Sequence, residues 1–275
     1  MDYKTVMVGL ALDRPNDACL RVAGDLAERF GARIIGVAAS DIRPPMYFAA
    51  GDSAQKILDD EVAAIERRLS ELEAEFRAAV ESRATALEWR SARSLPVPYL
   101  LQQARAADIL VIGARPETLV DPCAAPDPSD LVMQAGRPLI VVPSAVEWLD
   151  LRSVLVAWKD VHEARRAVFD ALPILVAAKE VTIAEIPEQE GHRAEALAHV
   201  ADVAAWLRSH GITANTVVPE KAGGVTGQIE SIAANIGAGA VIAGAYGHSR
   251  FREWVLSGVT RHLAIESRRC AFLSR

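Results

Sequence analysis

The order of strand-like and helix-like segments in residues 5–142 begins again at Arg152 and runs to the end of the chain. Such a chain is two copies of one alternating unit. Alternating β and α segments form a parallel sheet covered by helices on both faces. One stretch shows the duplication in its letters: Ala107-Asp108-Ile109-Leu110-Val111-Ile112-Gly113-Ala114 lines up with Ala238-Gly239-Ala240-Val241-Ile242-Ala243-Gly244-Ala245. A repeat of this length means duplicated domains rather than a solenoid. The total of 275 residues fits two domains at roughly 150 residues each. The expected domains are 1–146 and 147–275, joined through Pro143–Leu151. The fold class is therefore α/β, two tandem doubly wound domains, each on a five-stranded parallel sheet.

In the first unit the expected strands are Thr5–Leu12, Arg33–Ala39, Thr85–Arg90, Asp108–Gly113 and Pro138–Val142. A helix from about Pro15 to Phe30 takes Asp13 as its cap and Gly31 as its stop. Asp52 and Ser53 open a long helix. Its apolar positions Ile57, Leu58, Val62, Ile65, Leu69, Leu72, Phe76 and Val80 recur at helical spacing. Short helices are expected over Pro96–Arg105 and Ser129–Ala135. Ile42–Gly51 and the proline-rich Arg115–Pro128 read as loops.

In the second unit the strands are Ser153–Trp158, Glu180–Ile186, Thr213–Pro219, Ala240–Gly244 and Cys270–Ser274. Asp160 and Glu163 have the spacing of an Asp-x-x-Glu cap before a helix to about Ala178. Further helices cover Glu190–His210, stopped by Gly211, then Thr226–Ile236 and about Gly258–Glu266.

Composition removes several function classes. The net charge of −6 argues against a globally basic nucleic-acid binder. Apolar runs such as Pro138–Pro143 fall far short of the ~20 residues of a membrane span. No export signal is read at the N-terminus, and a cytoplasmic location is expected. Cys19, Cys123 and Cys270 are odd in number, far apart and without a CxxC, so a disulfide framework or zinc site has little support. Cys19 and Cys270 read as small core residues, whereas Cys123, in a proline-rich loop, is the one to test for reactivity. Walker A, GxSxG, HExxH and GxGxxG patterns and a Ser-Gly-Gly-x-Asp-Ser loop are all absent.

Open parallel sheets bind ligands at the strand carboxyl ends, where the strand order reverses. With strand order 3-2-1-4-5 in each half, that point lies between the first and fourth strands. In the second half it is framed by the turn after Trp158 and the loop after Ala243. That loop, Gly244-Ala245-Tyr246-Gly247-His248-Ser249-Arg250-Phe251-Arg252-Glu253-Trp254-Val255-Leu256-Ser257-Gly258-Val259-Thr260, is the richest motif in the chain. Gly247 lets backbone N–H groups come close to a phosphate. Ser257–Thr260 opens a helix, whose free N–H groups and dipole favour an anion.

This loop resembles that of the universal stress protein (UspA) superfamily, whose nucleotide-binding members carry Gly-x2-Gly-x9-Gly-Ser/Thr after the fourth strand. Gly244 and Gly247 match the first two glycines. Nine residues later the final pair is inverted, Ser257-Gly258. The resemblance covers both halves, the second through its motif and the first through topology. It implies a tandem member with Rossmann-like domains of the adenine nucleotide alpha hydrolase type. It also implies domain pairing through the fifth strands, Pro138–Val142 and Ala271–Ser274, which gives their open edges a partner.

On this resemblance the candidate ligand-binding residues are Gly244, Gly247, His248, Ser249, Ser257, Gly258, Val259 and Thr260, and the candidate ligand is ATP or another adenine nucleotide. Two departures weaken that binding. Lys159 stands where nucleotide-binding members usually have Asp, and a cation accepts no hydrogen bond from ribose. Ser257 adds a side chain where the family has Gly. In the first half no second glycine follows Gly113, and Asp121, Asp127 and Asp130 bring negative charge, so that site reads as degenerate.

Other residues have plainer readings. His248 reads as loop-packing or phosphate-facing rather than a base, since no nucleophile with an Asp orienter accompanies it. Tyr246 and Trp254 read as packing, and Arg250 and Arg252 as surface rather than phosphate contacts. His192 and His199, seven residues apart on one helix, are weak evidence for metal. Glu61–Arg83 reads as a solvated helix face. No catalytic residue and no metal ligand is assigned.

Two functions remain. One is a non-catalytic regulatory or interaction module in stress response, acting through unidentified protein partners, with weakened or lost nucleotide binding. The other is an adenine-nucleotide sensor, with weak ATP hydrolysis at most, using the second half. Neither reading involves nucleic acid or membrane, and a homodimer of the whole chain is left open.

Overall fold

The structure, a computed structural model, describes residues 2–42, 52–115, 121–187, 189, 191–245, 258–265 and 267–275. The first half runs β1 (Thr5–Leu10), α1 (Asp17–Phe30), β2 (Arg33–Ser40), α2 (Asp52–Val80), β3 (Leu87–Arg93), α3 (Pro96–Gln103), β4 (Ile109–Gly113), α4 (Pro128–Gln134) and β5 (Leu139–Val142). The second runs β6 (Ser153–Trp158), α5 (His162–Asp170), α6 (Leu172–Ala177), β7 (Glu180–Glu185), α7 (Arg193–Ser209), β8 (Ala214–Val217), α8 (Val225–Asn235), β9 (Ala240–Gly244), α9 (Gly258–Ile265) and β10 (Cys270–Ser274).

The strands form one ten-stranded sheet, ordered β3-β2-β1-β4-β5-β10-β9-β6-β7-β8. Each half has the expected 3-2-1-4-5 order. The halves meet where the fifth strands pair antiparallel, Ala271 opposite Val141, Phe272 opposite Ile140 and Leu273 opposite Leu139. Every other strand pair is parallel. The repeat seen in the letters reappears in the register. Ile109 sits opposite Val6 on β1, and its counterpart Ala240 sits opposite Val154 on β6.

Two helical layers cover the sheet. Strand residues alternate between them, as the pleat requires. Val6, Val8, Ile34, Ile109 and Val111 face the layer of α1, α2, α5, α6 and α7; Met7, Ile35, Leu110 and Ile112 face that of α3, α4, α8 and α9. The central strands are buried on both faces, which is why they read as unbroken apolar runs.

Contacts outside the sheet also bind the halves. Asp25 Oδ2 on α1 accepts the Leu149 N–H at 2.6 Å, while its Oδ1 takes the Arg83 guanidinium at 2.6 Å. Tyr3 stacks edge-on against Phe30 and donates its hydroxyl to the carbonyl oxygen of Asp170.

Helix ends differ from expectation in two places. Asp13 does not cap α1; it pairs with Arg14 at 2.8 Å. The residue before the helix is Asn16, whose side chain instead braces the turn, accepting from the Ala11 N–H and donating to the Ala11 carbonyl oxygen, both at 2.9 Å. Likewise no side chain caps α5, because Asp160 is held by Arg165 at 2.6 Å. The expected single helix to Ala178 is two helices, broken at Ala171, where the ring of Pro173 forbids a continuous backbone ladder. Gly31 and Gly211 end their helices with φ of 60° and 79°, conformations that suit glycine. The expected loop Ile42–Gly51 lies outside the described residues from position 43 onward.

Candidate functional site

The strand order reverses twice, so the sheet has two crevices at strand carboxyl ends: between β1 and β4, and between β6 and β9. The chain treats them differently.

Beside the first crevice the chain lies across its own strand ends. After β4, residues 121–128 fold back over the ends of β1 and β2. The Leu12 N–H donates to the Ala124 carbonyl oxygen at 2.9 Å. The Cys123 carbonyl oxygen accepts from the Asp41 N–H at 3.0 Å and from the Ser40 hydroxyl at 2.8 Å. Cys123, Ala125, Pro126 and Pro128 are buried in this strap. Asp121 shapes it by accepting the Cys123 N–H at 3.0 Å.

In the first half, residues 121–128 occupy the space at the ends of β1 and β2. Asp127, expected to repel phosphate, is neutralised by Arg115 at 2.7 Å and caps α4 through the Ser129 N–H at 2.8 Å. Asp130 keeps an exposed position at the start of α4. Cys123 is corrected as well. It is only 9% exposed and not the accessible thiol that its proline-rich surroundings suggested.

The second crevice is built on tight packing. Gly244, the last residue of β9, abuts the first turn of α5. A Cβ there would lie 2.5 Å from the Ala164 nitrogen and 2.6 Å from the Glu163 carbonyl carbon. Gly244 is therefore required by helix packing, whatever the crevice binds. Gly258 is exposed at the start of α9, and a Cβ there would meet the Thr226 hydroxyl oxygen at 3.3 Å. Val259 is half-buried, and Thr260 is buried within α9. Of the remaining candidates, Gly247, His248, Ser249 and Ser257 lie outside the described residues, as do Tyr246, Arg250, Arg252 and Trp254.

Two residues that the sequence reading passed over stand at the opening of α5. Glu163 is 3% exposed. Its Oε1 lies 3.0 Å from His162 Nε2, and its Oε2 has no hydrogen-bond partner among the described residues. The indole nitrogen of Trp158, at the end of β6, is also buried and without a partner among the described residues. The apparent Asp-x-x-Glu cap was the only sequence signal for Glu163, and it pointed to the wrong role.

A third feature lies on the outer layer. A cleft of about 470 Å³ runs between α5 and α7, lined by Trp158, Asp160, Arg165, Phe169, His199, Asp202 and Trp206 among others. On its β7 side Glu185 accepts from His199, with Nδ1 to Oε1 at 3.1 Å. That carboxylate holds the His199 imidazole above its ordinary value, and burial pushes the Glu185 carboxyl up. His199 is therefore engaged with a carboxylate, and among the described residues no group of His, Cys, Asp and Glu is arranged to hold a metal. Nor is any described helix long and apolar enough to cross a membrane.

Comparison with known proteins follows this architecture. A sequence model described as the universal stress protein family matches residues 2–143, just over half of the chain. The match falls on the first half, whereas the glycine motif lies in the second. A solved structure of a universal stress protein from Archaeoglobus fulgidus DSM 4304 is similar over 98% of both chains, with a TM-score of 0.74 at 14% identity. A functionally unknown protein from Pseudomonas aeruginosa PAO1 is similar over 99% of this chain and 92% of its own, with a TM-score of 0.59 at 14% identity. A putative universal stress protein from Pseudomonas aeruginosa UCBPP-PA14 is similar over 99% and 93%, with a TM-score of 0.58 at 14% identity. No match is found among curated proteins.

Proposed function

The chain belongs to the universal stress protein family, and from that premise we propose that it is a non-catalytic regulatory module whose first nucleotide crevice has been given up. The observation that carries this reading is the strap of residues 121–128. Its carbonyl oxygens accept from the Leu12 and Asp41 N–H groups and from the Ser40 hydroxyl across the ends of β1 and β2. A ligand there would have to break those bonds and expose buried Cys123 and Ala125. In the second crevice Lys159 follows β6, and Gly244 is committed to the packing of α5. Binding of adenine nucleotide at this half is weak or lost. Signalling then passes through protein contacts, with the duplicated domains, 1–146 and 147–275, as one paired unit in the cytoplasm.

A second reading is favoured by one observation, the buried oxygen of Glu163 beside Gly244, which has no partner among the described residues. A carboxylate oxygen left without a donor is costly, and a ribose hydroxyl would supply one. On this reading the second half senses an adenine nucleotide, held at the start of α9 near Gly258.

One experiment separates the two. Purified protein is denatured, its supernatant chromatographed for nucleotide, and fresh protein titrated with Mg·ATP by calorimetry. The first reading expects a clean supernatant and no heat up to millimolar ATP. Co-purified nucleotide, or micromolar affinity abolished by Gly258→Glu, establishes the sensor.

A further inference from the structure

We propose that the cleft between α5 and α7 binds a small organic cation, a protonated amine carried on an apolar or aromatic body. This cleft adjoins the strand-end crevice at Trp158 and Asp160, but its walls are α5 and α7, and it does not depend on whether that crevice takes nucleotide. Its volume of about 470 Å³ lies within the range of small-molecule sites.

The walls are aromatic and aliphatic. Phe169 on α5 and Trp206 on α7 remain 48% and 38% exposed, large apolar surfaces left uncovered on the two helices that flank the cleft. Val168, Val203 and Trp158 complete its apolar lining. In the first half the corresponding helices, α1 and α2, pack directly on one another, with Leu69, Leu72 and Phe76 of α2 buried. The same architecture is closed there and open here.

The charges of the cleft select the sign of the ligand. Arg165 is already bound to Asp160 at 2.6 Å, and His199 is bound to Glu185. The field of Glu195 also reaches His199. Asp202 stands on the exposed side of α7, and among the described residues no hydrogen bond or ion pair engages it. The cationic groups that line the cleft are thus paired and carboxylate charge is left over, while His210 packs against the Trp206 ring from outside the lining, with ring centroids 4.5 Å apart. A free carboxylate beside indole and phenyl faces attracts an ammonium twice, through its charge and through the negative ring faces. An anionic ligand meets the reverse.

The test uses three probes of one shape: 4-phenylbutylamine, 4-phenylbutan-1-ol and 4-phenylbutanoate. Each is titrated into the full chain by calorimetry and by NMR of the indole N–H resonances, with Trp206 assigned from Trp206→Phe. For a ligand of this size the amine should saturate below about 1 mM. The alcohol should bind at least ~5-fold more weakly, and the carboxylate should show no binding by ~10 mM. The Trp206 indole should shift with the amine. Asp202→Asn, at an exposed position where the fold is not at stake, should bring the amine down to the level of the alcohol. The proposal is overturned by any of four results: no saturation by the amine by ~10 mM, affinities for all three probes within ~2-fold, an unshifted Trp206 indole, or an Asp202→Asn chain that binds the amine like the parent.

Discussion

The Tyr3 hydroxyl donates to the Asp170 carbonyl oxygen at 2.7 Å, across 167 residues of sequence. Tyr3 precedes β1, and Asp170 is the last residue of α5, so this bond ties the first half to the second outside the strand junction. The Asp170 side chain also accepts from Ser274 at 2.6 Å and from Arg166 at 2.8 Å. Tyr3→Phe keeps the edge-on contact with Phe30 and removes only the hydroxyl. It should lower the unfolding free energy by about 1 kcal/mol, read from urea denaturation followed by circular dichroism. An unchanged midpoint would show that water replaces the bond at no cost.

Gly244→Ala should destabilise the chain even where no ligand is bound. Its Cβ would press into the α5 backbone at 2.5 Å, and backbone cannot step aside as a side chain can. A loss of about 2 kcal/mol or more is expected, against a change within about 0.5 kcal/mol for Gly258→Ala. Denaturation of both variants checks the contrast. Equal stability of the two would remove the packing role assigned to Gly244.

The His199–Glu185 pair gives a pH dependence with a fixed sign. The folded imidazole is raised above its ordinary value of 6.5. Its contribution is therefore fully present below that value and is lost as pH rises through the raised folded pKa. His199→Gln should lower the melting temperature at about pH 5.5 and have a smaller effect at about pH 8.5. An effect that grows with pH would reverse the assignment.

None of the three cysteines is in a disulfide, and all three are buried. Burial pushes Cys19 and Cys270 up to about 12, far from the thiolate that reacts. Iodoacetamide at about pH 8 should leave both unmodified in the native chain and modify them in denaturant, as counted by mass spectrometry. Cys123 should be protected as well, by the strap that buries it. Rapid native labelling of Cys123 would mean that the strap opens.

The topology was legible because it rests on features that a sequence carries locally. Runs such as Ser153–Trp158 and Ala240–Gly244 are buried on both faces and have their strand bounds in their letters. Stops such as Gly31 lie beside the helices they end. What stayed hidden depends on distant partners. Asp13 is a good cap by composition, but Arg14 takes its carboxylate. The strap over the first crevice needs backbone bonds from Ala124 to Leu12 and from Cys123 to Asp41, and backbone bonds leave no trace in residue type. The outer cleft joins Phe169 to Trp206, on two helices with a helix and a strand between them in the chain. The one available signal was that two large aromatics occupy exposed positions on these helices.

The antiparallel junction of β5 with β10 changes what can vary in such a protein. When two copies of one chain meet across a two-fold axis, each substitution appears on both sides, and neither site can be lost without the other. Here the two sides are separate stretches of one sequence, and their meeting does not depend on protein concentration. The ends of β1 and β2 have been free to take a strap of their own chain without a matching change in the other half, and α5 and α7 have been free to part while α1 and α2 stayed closed. Fusion leaves each half free to change without the other.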